Sequence, residues 1–86
     1  MNIADLKKRI IYRSQYRGTK EMDKLLSAFV YEQIEKLDQT QLLKLEEFLN
    51  IDDENLYKFY NGLKTEINFK KDEISELFKN FKYKKK

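Results

Sequence analysis

Arginine and tyrosine crowd one stretch of the chain: Arg9, Tyr12, Arg13, Tyr16 and Arg17, followed by Gly18, Lys20, Glu21 and Asp23. A helix running to about Tyr16 would place Arg9, Tyr12, Arg13 and Tyr16 on one face, because residues three and four apart are neighbours there. These residue types grip rather than react. Arginine holds carboxylates and phosphates in a two-pronged fork that lysine cannot form, and arginine and tyrosine dominate the residues that anchor interfaces. The chain has no His and no Cys, so the usual proton shuttle near neutral pH and the thiolate ligands and nucleophiles are missing. Glu21 or Asp23 could act as a general base only inside a cleft that raised its pKa. A chain of 86 residues leaves little room for one.

Each of these residues also has a purely structural reading. The basic run can be a solvated helix face with the tyrosines lying on their neighbours. Gly18 can be a helix terminator with a positive φ, and Glu21 can sit in a first turn that favours a carboxylate. On residue types alone both readings stand.

The elements that must position the cluster are helical. Proline is absent, and only Gly18 and Gly62 interrupt the pattern. The first helix starts at Asn2 and turns Ile3, Leu6 and Ile10 inward. Thr19 caps a second, whose apolar stripe is Met22, Leu25, Leu26, Phe29, Val30, Ile34 and Leu37. Asp38 with Gln41 reads as a capping box for a third, with Leu42, Leu45, Phe48 and Leu49 on its inner face. Asp52 caps a fourth, ended by Gly62, and a fifth begins near Asp72 and buries Ile74, Leu77, Phe78 and Phe81. The spacing therefore predicts an all-α, single-domain bundle of about five short helices joined by tight turns over residues 1–81, with a Lys-rich flexible tail over 82–86.

Charge is segregated along this bundle. Residues 1–20 carry net +5, residues 21–60 net −6 and residues 61–86 net +4. A nucleic-acid-binding helical module would use the basic first helix and the tail, but the acidic middle opposes that reading. No run approaches the roughly 20 apolar residues of a membrane span, and the N-terminus lacks the apolar region of a signal peptide. The expected compartment is the bacterial cytoplasm, or the mitochondrial matrix if the chain is a processed form.

Read as a unit, Lys8-Arg9-Ile10-Ile11-Tyr12-Arg13-Ser14-Gln15-Tyr16-Arg17-Gly18-Thr19-Lys20-Glu21-Met22-Asp23 resembles the bacterial and mitochondrial succinate dehydrogenase FAD assembly factors. The hallmark R-G-x-x-E of that family is matched by Arg17, Gly18 and Glu21. A second stretch, Phe48-Leu49-Asn50-Ile51-Asp52-Asp53-Glu54-Asn55-Leu56-Tyr57, is similar to the family's short acidic turn into a helix. Departures are Gln15-Tyr16, where relatives often carry Trp-His, the lack of a proline near 53 or 54, and Phe59 in place of a tryptophan.

The resemblance implies a five-helix domain that binds the flavoprotein subunit of succinate dehydrogenase, in some bacteria also that of fumarate reductase. It promotes the bond between FAD and a histidine of that client. It implies no catalysis by the chain itself and no stably bound cofactor, the FAD ending on the client. By carry-over Arg17, Gly18 and Glu21 form the centre of the client-binding surface, and Arg9, Tyr12, Arg13 and Asp23 extend it by proximity. A monomer without nucleic acid as a partner is expected. Replacing Arg17 or Glu21 by Ala is expected to leave the fold intact.

Overall fold

The computed structural model describes residues 2–83, which form five helices: α1 (Ile3–Ser14), α2 (Lys20–Gln33), α3 (Gln39–Phe48), α4 (Asp53–Tyr60) and α5 (Glu73–Asn80). The all-α expectation holds, and no strand occurs among the described residues. Each helix begins at a residue whose side chain satisfies amide groups that the first turn leaves without partners. Asn2 accepts from the Ala4 amide at 2.9 Å, Thr19 from Met22 at 3.1 Å and Asp52 from Asn55 at 3.2 Å. Asp38 and Gln41 form the predicted reciprocal box, and Asp72 with Ser75 forms a second one.

The apolar stripes meet in one core. Leu6, Ile10, Leu26, Phe29, Leu45, Leu56 and Phe78 are fully buried, each worth about 1.5–3 kcal/mol relative to exposure. Phe78 of α5 is its hub, edge-on to Phe29 at 5.1 Å and to Phe48 at 5.3 Å between ring centroids. Such tilted contacts bring a ring's positive edge against the negative face of its neighbour. In this arrangement α1 lies against α2 and α3, and α5 against α3 and α4.

Three local expectations are corrected. Ile3 is exposed rather than buried; it is the first residue of α1, and the first inward position of that helix is Leu6. Helix α1 stops at Ser14, short of Tyr16, where Gln15 turns to an extended conformation. Finally, α4 and α5 are joined not by a tight turn but by residues 61–72, which carry no helix. Gly62 opens that segment with φ 71°. Phe69 then stacks on Phe59 at 4.2 Å, and the Asn55 side chain accepts from the Glu66 amide at 2.9 Å. Of the Lys-rich end, residues 84–86 lie outside the described residues, while Tyr83 packs against the core and its amide donates to the Tyr60 hydroxyl at 3.3 Å.

Candidate functional site

The arginines of α1 form a ladder against α3. Arg9 Nε donates to Glu46 at 2.8 Å and Arg13 Nη1 to the Asn50 side chain at 2.7 Å, each across the same separation of 37 residues. Equal offsets at a four-residue spacing mean that α1 and the end of α3 run in the same direction, side by side. The Arg9 hydrogen bond holds the Glu46 carboxyl below its usual range, against the opposing effect of burial. Both arginines keep nearly half of their side-chain surface in solvent.

Arg17 stands differently. Its side chain is only 12% exposed, and four of its five N–H groups have partners inside the chain. Nε donates to Asp53 Oδ1 at 2.7 Å, Nη1 to the carbonyls of Arg13 and Leu49 at 2.9 and 2.8 Å, and Nη2 to the carbonyl of Ile51 at 2.9 Å. One guanidinium thus sits at three helix ends. It neutralises the carbonyls that α1 and α3 leave open at their C-termini, where a cation is favoured, and it pairs with the first residue of α4. The expectation that Arg17 presents its side chain at the surface is corrected. Three of its four acceptors, on Leu49, Ile51 and Asp53, lie more than 30 residues away, so local spacing gave no sign of them.

Gly18 is corrected in the same way. It does not adopt a positive φ; Tyr16 does, at φ 57°. Gly18 instead allows close approach. Its amide donates to Asp53 Oδ2 at 2.6 Å, and a Cβ on it would lie 3.1 Å from that same oxygen. Asp53 therefore takes Arg17 with one carboxylate oxygen and Gly18 with the other. Asp23 completes the loop by accepting from the Arg17 amide.

The other candidate residues are placed in the open. Tyr12 and Tyr16 are 67% and 78% exposed, with ring centroids 5.4 Å apart. Together with Arg13 and Gly18 they line an open groove of about 510 Å³ whose far wall is the α3–α4 turn. Glu21 is exposed in the first turn of α2, and its carboxylate has no partner among the described residues. It borders a second groove of about 310 Å³, with Leu25, Tyr57, Tyr60 and Tyr83. Arg17 and Gly18 are thus brought together, whereas Glu21 faces a neighbouring depression.

Sequence reasoning missed Asp53, Glu46 and Asn50. The acidic pair Asp52-Asp53 was legible as a helix start, but only Asp52 caps α4. The matched four-residue spacings of Arg9 with Arg13 and of Glu46 with Asn50 were a signal that could have found the ladder.

The two stretches that carry the resemblance are therefore one structural unit, closed by the Arg17–Asp53 pair. The family model described as the flavinator of succinate dehydrogenase matches residues 8–82, which includes both stretches and everything between them. The chain belongs to that family. Membership in the flavinator family agrees with the all-α architecture and places Arg17, Gly18 and Glu21 within the matched region. No curated protein and no solved structure shows a significant match to this chain. No described helix is long and apolar enough to cross a membrane.

Proposed function

We propose that this chain binds the flavoprotein subunit of succinate dehydrogenase and promotes the covalent attachment of FAD to it. The observation that carries this reading is the flavinator match over residues 8–82. The chain acts as a binding partner with no turnover and no stably held cofactor of its own. That accords with a sequence that has neither His nor Cys, because the chemistry then rests on groups of the client and its flavin. The flavoprotein of fumarate reductase is a further client of the same kind, and the chain works as a monomer in the compartment where the client folds, the bacterial cytoplasm or the mitochondrial matrix.

Binding occurs on the face formed by the end of α1, the loop to α2 and the start of α2. Arg9, Tyr12, Arg13, Gly18 and Glu21 present exposed groups there. Arg17 and Asp23 serve the same face from behind by fixing the loop. A nucleic-acid role is disfavoured because residues 21–60 carry net −6 and the charges of Arg9 and Arg17 are paired with Glu46 and Asp53.

Deleting the gene should lower the fraction of flavoprotein that carries covalent FAD, read as flavin fluorescence of the denatured subunit in a gel. Unchanged fluorescence in the deletion strain would overturn the assignment.

A further inference from the structure

Tyr16 combines two features that its own fold does not require of it. It is the only non-glycine residue among those described with a positive φ, at 57°. For a residue with a Cβ that conformation is unfavourable by roughly 1 kcal/mol or more. Its side chain is also 78% exposed, so burial of the ring does not offset the strain. A large aromatic residue held in a strained turn with its ring in water stabilises nothing in proportion to what it costs.

Hydrogen bonds hold the chain on both sides of the turn. Before Tyr16, the Ser27 hydroxyl donates to the Ser14 carbonyl at 3.2 Å, and the Gln15 amide donates to Tyr12 at 3.1 Å. After it, Asp23 accepts from the Arg17 amide and Asp53 accepts from both Arg17 and Gly18. A strained residue persists only where its neighbours over-determine it, and such residues gather at binding sites.

We infer that Tyr16 is the aromatic anchor of the docking surface, presented from a backbone that the Asp23 and Asp53 clamps hold in place. Tyr12 supports one side of the ring at 5.4 Å between centroids. The half-exposed guanidinium of Arg13 lines the same groove. The partner surface that fits is a socket with apolar walls, a hydrogen-bond acceptor at its floor for the phenol hydroxyl and a carboxylate on its rim for Arg13. A turn whose backbone is held before binding loses little entropy on docking. This inference rests on the client reading and identifies the residue through which that contact is made.

The strain gives the test opposite signs in two measurements. Glycine accepts the left-handed conformation but has no ring. Tyr16→Gly should therefore melt no lower than the wild type, yet bind the purified flavoprotein subunit about tenfold more weakly, as removal of an anchoring aromatic does. Tyr16→Asn, which also tolerates the turn, should behave alike, and Tyr16→Phe should lose only the part due to the hydroxyl. Affinity would be measured by titration calorimetry and melting by circular dichroism. Wild-type affinity in Tyr16→Gly would overturn the anchor while leaving the client reading intact. Melting of Tyr16→Gly well below the wild type would also overturn it, by showing that the ring props its own fold. Absence of binding by the wild-type protein would overturn the client reading and the anchor with it.

Discussion

Arg17 shows how much a residue's role depends on where its hydrogen bonds end. Its type and its place beside Gly18 suit a surface that grips a partner, but its fork closes on Asp53 and on the carbonyls of Arg13, Leu49 and Ile51. Arg17→Ala would leave those carbonyls without a donor and Asp53, itself only 22% exposed, without its cation. We expect a loss of about 2–4 kcal/mol, read as a fall of roughly 10 °C or more in melting temperature for a domain of this size. Arg17→Lys should recover little, because a single ammonium cannot reach acceptors spread around a planar fork. A melting temperature within a degree or two of the wild type would show that the clamp is dispensable. Gly18 carries the same lesson. The sequence marks it as special, and only the position of Asp53 shows that space, not φ, is the reason.

Among the elements, the helices were legible and the irregular segment was not. Asn2, Thr19, Asp38 and Asp52 each cap the helix that follows, as their spacing predicts. A cap acts on amides two or three residues ahead, so the information is local. Residues 61–72 have no such local rule. Their course depends on Phe69 meeting Phe59 and Phe48, two rings contributed by other elements. Phe69→Ala should release that segment at a cost of about 2 kcal/mol, below the range for a fully buried phenylalanine because the ring is half-buried. Hydrogen exchange would detect it as faster exchange at the Glu66 amide, while the protection of α2 should persist. Equal loss of protection in α2 would mean that segment and core open together.

For the whole molecule, several carboxylates join the elements, and their titration links packing to pH. Glu46 lies below its usual range mainly through the Arg9 hydrogen bond, and Asp52 mainly through the Asn55 side chain and amide. Because these folded-state values are depressed, the unfolded chain takes up protons first as the pH falls. Their contribution to stability is complete above the ordinary carboxylate range, about pH 4–4.5, and disappears as the pH drops through the lower folded values. The melting temperature should be nearly flat from pH 7 to about 5 and should decline below about 4. Glu46→Gln should flatten part of that decline. A decline of unchanged slope in Glu46→Gln would show that the α1–α3 ladder contributes nothing to it.

The amino-acid sequence by itself determined the all-α class, the positions of the five helices and the R-G-x-x-E match, because periodicity, caps and motifs act over a few neighbouring residues. It also identified the core of α2, where Met22, Leu25, Leu26, Phe29 and Val30 recur at helical spacing and are all buried. Only the tertiary structure decided what the motif does within the fold. The partners of Arg9, Arg13, Arg17 and Gly18 lie 32 to 37 residues further along the chain. They come into reach only because α1 packs beside α3 and the α3–α4 turn folds back over the end of α1. The left-handed turn at Tyr16 lies beside that closure, next to the Arg17 and Gly18 amides that Asp23 and Asp53 hold.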